Sequence, residues 1–163
     1  MDKNYGVTTF VMDSGERYCM LVARSSGLPV YYPTLFLTTQ TRNKGDAFST
    51  MLAAASNLVM LLRFVDSRGI NLEQRFLSKD FFKPHELDDL RDFSQRKQGK
   101  KPLMASFSPW LEHTTIDTVD NGTQHSRLTT FANYLRWYAM HILKMAYKHT
   151  RFSSTHFLRF PGF

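Results

Sequence analysis

Three residues near the end of the chain have types and a spacing that could serve phosphoryl transfer. His141 and Lys144 lie three positions apart in a helical pattern, and Tyr147 follows one turn later. A tyrosine can act as a covalent nucleophile, and nearby cations can stabilise the developing charge. However, a tyrosine one turn along the same helix cannot meet the rest of an active site, and no arginine accompanies the histidine. We therefore assign no catalytic residue.

Other patterns that hold cofactors or metals are missing from the sequence. The eight glycines are scattered and form no phosphate-cradling loop, and no His-Glu-x-x-His pair is present. Cys19 is the only cysteine, so an internal disulfide and a cysteine-based zinc site are excluded. The sequence predicts neither a cofactor nor a metal.

A polar, basic segment at residues 38–45 has the composition of a phosphate-binding loop. A helix is predicted to start just after it, near Asp46, so that unpaired backbone N–H groups and the helix dipole would face an anion. An ordinary polar loop with a helix cap is the alternative. The candidate DNA-binding residues here are Thr41, Arg42, Asn43 and Lys44.

A second candidate surface lies on a helix predicted from about Ser126 to Lys148. Leu128, Phe131, Leu135 and Ile142 form its apolar stripe. A polar face of this kind could enter a major groove, where arginine reads guanine and asparagine reads adenine. A solvated helix face is the alternative, but such faces normally carry acidic residues, and this helix has none. The candidate residues are Arg127, Thr130, Asn133, Arg136 and Lys144.

The charge of the chain is unevenly distributed. The net charge is +7 with a pI near 9.7. From Asn121 onward there are six Lys or Arg and no acidic residue. Such a balance predicts a densely negative partner, with nucleic acid first, although charge that serves solubility alone is the alternative. Charged residues interrupt the first twenty positions, and the apolar run Met51–Leu62 is too short for a bilayer. The sequence thus predicts a soluble protein without a membrane partner.

Periodicity and turn residues predict an α+β fold that is mainly α. The predicted elements are a β-hairpin at 6–24, an extended stretch between Pro29 and Pro33, a connector at 35–44, a long helix from Asp46 to about Gly69, a helical turn at 72–76, a helix opening at Lys83-Pro84, an irregular stretch at 102–123 and the late helix.

Two segments resemble the amino-terminal region of bacterial site-specific integrases of the tyrosine recombinase family. They are Thr41-Arg42-Asn43-Lys44-Gly45 and Tyr134-Leu135-Arg136-Trp137, within a likeness that covers about residues 29–144. The resemblance implies a hairpin and linker at 1–34, a helical, SAM-like core-binding domain at 35–150 and a linker at 151–163. It also implies a cytoplasmic, nucleoid-associated bacterial protein that binds attachment-site duplex DNA, with possible self-association there. The catalytic domain of such enzymes is expected outside this chain, which would itself cut no DNA.

Two other classes of function stay open on the sequence alone. One is a stand-alone DNA-binding regulator, although long helices with long connectors differ from a compact helix-turn-helix. The other is a protein-interaction module that uses exposed aromatic residues. Salt-dependent binding to duplex DNA separates the DNA-binding classes from the interaction module.

Overall fold

The computed structural model describes residues 4–97 and 118–156, with side chains of the last helix through Tyr147. The predicted fold class, α+β and mainly α with an N-terminal β-hairpin followed by helices, is confirmed. The elements are β1 (Tyr5–Val11), β2 (Arg17–Ala23), α1 (Tyr31–Phe36), α2 (Phe48–Ser67), α3 (Leu72–Leu77), α4 (Pro84–Gln95) and α5 (Asn121–His156).

The hairpin formed by β1 and β2 is antiparallel and closes through a turn at 12–16, as the sequence predicts. β2 supplies the buried face: Tyr18, Cys19 and Leu21 lie in the same apolar core as the helices. β1 is exposed along most of its second half. The hairpin is therefore an edge layer that rests on the helical body through β2 and the first half of β1.

The segment between the hairpin and α2 is helical, so two predictions for it are wrong. Val30 is extended as predicted, but Tyr31 and Tyr32 are not, because α1 begins at Tyr31. The helix places Pro33 in its first turn, where a missing N–H costs no hydrogen bond. The predicted connector at 35–44 continues as a π-helical segment, Leu37–Thr41, and a 3-10 turn, Arg42–Lys44. Buried Phe36 and Leu37 anchor this segment in the core, and that packing outweighs its weak helix propensity.

The long helix α2 is the centre of the molecule. Leu58, Leu61 and Phe64 are buried within it, and it contacts both strands, α4 and α5. It starts two residues later than predicted, and its predicted end is confirmed: Gly69 adopts a left-handed conformation with φ +61° just beyond Arg68.

By length and composition, α2 could cross a membrane, with a mean hydropathy of 1.6 over its most apolar window. The apolar run is thus longer than the sequence analysis estimated. Half of that window is buried inside the fold, as in the core helix of a soluble protein, which passes the same test.

Helices α3 and α4 form a small layer held by a salt bridge. Asn71 caps α3 by accepting a hydrogen bond from the Gln74 backbone N–H. Arg75 of α3 makes two hydrogen bonds, of 2.7 and 2.8 Å, to the carboxylate of Glu86, which also accepts one from the N–H of Lys83 at the start of α4. The Arg75 guanidinium holds the pKa of Glu86 below its usual range.

The last helix, α5, is longer than predicted at both ends. Asp120 caps it by accepting hydrogen bonds from the backbone and hydroxyl of Thr123, so the turn predicted at Asn121-Gly122 is wrong. Residues 102–117 of the irregular stretch predicted at 102–123 lie outside the described residues. The backbone stays helical to His156.

Candidate nucleic-acid interface

Helix α5 has one buried face and one exposed face along most of its described length. Phe131, Tyr134, Tyr138 and Ile142 are buried against the body at steps of three and four residues. Tyr134 is more deeply buried than Leu135, so the stripe lies slightly round the helix from its predicted position. The opposite face is therefore fixed toward solvent.

Three of the five candidate residues on α5 lie on that exposed face. Asn133, Arg136 and Lys144 are exposed, and they follow each other at helical steps through Met140. From Asn133 to Lys144 the face runs for about 16 Å along the helix axis, since each residue adds about 1.5 Å. That length matches the rise of about five base pairs of duplex DNA.

The other two candidate residues on α5 make contacts within the fold, which the sequence did not predict. Arg127 is partly buried, and its Nη1 donates to the carbonyl oxygens of Ser94 at 2.6 Å and Arg96 at 3.0 Å. The hydroxyl of Thr130 accepts a hydrogen bond of 3.1 Å from Asn57 and donates to its own helix. Both side chains hold α5 against α4 and α2.

The aromatic residues of α5 pack against the body of the protein. The ring of Trp137 lies 5.5 Å from that of Phe36 and stacks on His141 at 5.3 Å, with an angle of 22° between the planes. His141 also contacts Tyr32. The histidine is thus engaged in ring packing, while Lys144 lies on the exposed face. Trp110 lies outside the described residues.

The polar segment 41–44 is arranged differently from the predicted phosphate loop. Thr41 is buried, and Arg42, Asn43 and Lys44 form a 3-10 turn. The backbone N–H of Gly45 is bonded to the Arg42 carbonyl, and the next N–H is bonded to that of Thr41. These N–H groups are therefore already paired within the segment.

Arg42 is bound to the hairpin. Its Nε and Nη2 donate to both carboxylate oxygens of Glu16 at 2.7 and 2.6 Å, and its guanidinium lies over the ring of Tyr18. The Arg42 guanidinium lowers the pKa of Glu16. Tyr18 in turn is hydrogen-bonded to Thr38. In this segment only Asn43 and Lys44 remain as exposed candidate contacts.

This arrangement separates the effects of two substitutions. Arg42→Ala is expected to lower the melting temperature, because it removes one of the links between the hairpin and the segment before α2. Lys44→Ala is expected to leave melting unchanged and to reduce the salt dependence of duplex binding by about one phosphate equivalent. Thermal melts and binding titrations at several salt concentrations measure both. A lower melting temperature for Lys44→Ala, or an unchanged one for Arg42→Ala, would contradict this assignment.

Two arginines that the sequence analysis did not single out join Arg127 around a cleft of about 280 Å³ between the hairpin, α2 and α5. They are Arg24 of the hairpin and Arg63 of α2. The three are far apart in the chain, and no motif connects them. Only the packing of the three elements brings them together, so the sequence carried no signal for the cleft.

A wider cleft of about 700 Å³ is lined by tyrosine rings from α1 and α5. Tyr32 lies edge-on to Tyr138 at 4.9 Å, and Tyr134 stacks beside it at 5.8 Å. Burial, aided by the charge of Glu73, raises the pKa of Tyr138 to about 12. Burial also raises the pKa of Tyr134. These phenols therefore stay protonated at neutral pH and are poor nucleophiles.

Within the described residues, no group of three His, Cys, Asp or Glu side chains is placed to hold a metal ion. Cys19 is a buried free thiol, and burial raises its pKa to about 11. No protein-family model, curated protein sequence or solved structure matched the chain when it was compared with them.

Proposed function

We propose that this chain binds double-stranded DNA through the exposed face of α5, as the amino-terminal, core-binding part of a bacterial tyrosine recombinase. The observation that carries the proposal is the joint exposure of Asn133, Arg136 and Lys144 on one helix face. The body of the protein holds the helix by the opposite face. On this proposal α5 is a rigid helix that contacts base edges, and Lys44 adds a phosphate contact from the segment before α2.

The chemistry of this face suits a polyanion. Helix α5 has no acidic residue along its length, so nothing on it neutralises Arg136 and Lys144. Within the described residues neither cation forms a salt bridge. Arginine and asparagine are the side chains that make bidentate contacts with guanine and adenine in the major groove.

The exposed surfaces of α4 and α5 differ in the sign of their charge. On α4 the acidic residues Asp88, Asp89 and Asp92 outnumber Arg91, which pairs with two of them. A polyanion approaching the protein would therefore be repelled from α4 and attracted to α5. This contrast gives the proposed complex a defined orientation.

The recombinase context comes from the sequence resemblance, and the DNA contact does not depend on it. On the proposal, the protein acts in the bacterial cytoplasm on attachment-site DNA, in integration and recombination. No residue of the chain is assigned to strand cutting, and neither a cofactor nor a metal has an assigned place. Self-association on DNA, expected for recombinases, is part of the same proposal.

Replacing Asn133 or Arg136 with Ala tests the proposal. Each change is expected to weaken binding to a preferred duplex by about 1–3 kcal/mol and binding to random duplex by much less, because the lost contact is to a base edge. A preferred duplex is first selected from a randomised pool with the full chain. Fluorescence anisotropy on the selected and scrambled duplexes then gives both affinities.

Two results would count against this assignment. Equal losses on both duplexes would mean that the helix contacts only phosphates. No salt-dependent binding of the full chain to any duplex would contradict DNA binding itself. The matched control is Met145→Ala. This exposed position of the same helix lies about 120° around the axis from Asn133, and its change removes no charge and is expected to leave the affinity unaltered.

A protein-interaction module is the second candidate, and exposed methionines favour it. Met140 and Met145 of α5 are 64% and 56% exposed, and such flexible apolar side chains suit adaptable protein contacts. Met145 lies on the same side of α5 as the residues that are buried nearer the start of the helix. This candidate would be favoured if the chain binds a protein with an affinity that does not depend on salt and binds no duplex DNA.

A further inference from the structure

We propose that the cleft between the hairpin, α2 and α5 binds a phosphate group, held by Arg24, Arg63 and Arg127. The site goes beyond the proposed DNA surface, since none of these arginines lies on the exposed face of α5 with Asn133 and Arg136. The ligand class is a phosphate dianion or a phosphate ester. Its source is either a free phosphate compound or the backbone of DNA.

Positive charge converges at this cleft. The carbonyl oxygen of Tyr5 accepts hydrogen bonds from Arg24 Nε and Arg63 Nη2, each at 3.2 Å, so two guanidinium groups share one acceptor. Arg127 approaches the same cleft from α5. Among the described residues that line the cleft, none is acidic. Like charges brought this close repel each other, and a bound dianion would reduce that repulsion.

Two of these guanidinium groups are also partly removed from water. Burial lowers the pKa of Arg63, and the charge of Arg24 lowers it further. Burial also lowers the pKa of Arg127, against the opposing effect of Asp120. Asp120 itself is occupied as the cap of α5. Charges that water solvates poorly gain more from an anionic ligand than fully hydrated ones do.

The shape and lining of the cleft suit a phosphate group. Its volume of about 280 Å³ corresponds to roughly nine liquid water molecules, which leaves room for a phosphate and an attached group. Gly6 has no side chain, and a Cβ built there would lie 3.1 Å from Arg24 Nε, so the guanidinium can lie close to the strand. Ser56 and Asn57 add polar groups from α2. Guanidinium forks and such groups are the usual ligands of phosphate.

The test is a titration of the full chain with inorganic phosphate at constant ionic strength, followed by ³¹P NMR and calorimetry. Saturable binding with one site per chain is expected. Arg24→Gln is expected to weaken it about tenfold through the loss of a charged hydrogen bond. Arg17→Gln is the matched control, because Arg17 is an exposed arginine on the same hairpin that does not line the cleft. It is expected to leave the phosphate affinity unchanged.

A second variant keeps the test decisive if Arg24→Gln disturbs the hairpin. Ser56→Asp places a carboxylate at the cleft from an exposed position of α2 and is expected to abolish phosphate binding. The proposal is overturned if the unaltered chain shows no saturable phosphate binding. It is also overturned if Arg24→Gln and Arg17→Gln weaken binding equally, or if Ser56→Asp binds as the unaltered chain does.

The source of the phosphate is read from duplex DNA with the same variants. If Arg24→Gln weakens both phosphate and duplex binding, and reduces the salt dependence of the latter by about one phosphate, the cleft takes a DNA backbone phosphate. If only phosphate binding weakens, the ligand is a free phosphate compound. Both results support the site. Failure of the DNA proposal appears instead as absent duplex binding, which leaves the phosphate titration intact.

Discussion

Replacing Leu58 with Ala is expected to lower the free energy of unfolding by about 2–5 kcal/mol. Leu58 is fully buried at the middle of α2, and both the hairpin and α5 pack on this helix. Truncation removes apolar contacts and leaves a cavity, and the packing of several elements on α2 restricts the collapse that would fill it. Urea denaturation followed by circular dichroism measures the change.

The matched control is Leu87→Ala on α4, where the leucine is 50% exposed. Alanine is the better helix former, and little buried area is lost, so the expected change stays within about 0.5 kcal/mol. DNA affinity per folded molecule should be unaltered in both variants. A loss below about 1 kcal/mol for Leu58→Ala would contradict the central position assigned to α2.

The elements best predicted from the sequence are those in which local pattern and core packing agree. In α2 the apolar residues recur at steps of three and four, and Gly69 supplies the left-handed residue at its end. In the hairpin, β-formers flank a turn with a glycine, and the structure pairs Val11 with Arg17 across it. Short-range rules therefore sufficed for these elements.

The segment 31–44 could not be predicted because its conformation depends on contacts far along the chain. Prolines and threonines favour an extended connector, yet Phe36 packs against Tyr134 and Trp137 of α5. Arg42 is fixed by Glu16 of the hairpin, 26 residues away. Neither partner is visible in a local window, so a local reading takes Arg42 for a ligand-binding group.

The α5 face was only partly predicted, again because some of its contacts are made to residues far along the chain. Helical periodicity correctly separates Asn133, Arg136 and Lys144 from the buried stripe. It cannot show that Arg127, near the start of the helix, meets the end of α4. An arginine at the margin of a stripe either extends to solvent or turns toward a neighbouring helix, and only the docking of that helix decides.

Replacing Arg127 with Ala is expected to lower the free energy of unfolding by about 1.5–3 kcal/mol, the range for hydrogen bonds from a charged group. Its guanidinium supplies donors to the carbonyl oxygens of Ser94 and Arg96, at the end of α4, where helical carbonyls lack partners in their own helix. Ser94 is fully buried, so water does not easily replace the lost donor. Arg127→Lys keeps the charge but lacks the planar fork, and is expected to recover only part of the loss.

Arg136→Ala is the matched control on the same helix, because it removes the same charge from an exposed position and should change stability by less than about 0.5 kcal/mol. Urea denaturation gives the unfolding free energies, and amide hydrogen exchange shows whether the end of α4 opens first. The two arginines thus have different roles: Arg127 stabilises the fold, whereas Arg136 contributes to binding of a preferred duplex. A different result would contradict this assignment: Arg127→Ala unfolds like the unaltered chain and selectively loses affinity for the preferred duplex. In that case the Arg127 side chain contacts DNA, as the sequence alone suggests, and its hydrogen bonds to α4 do not stabilise the fold.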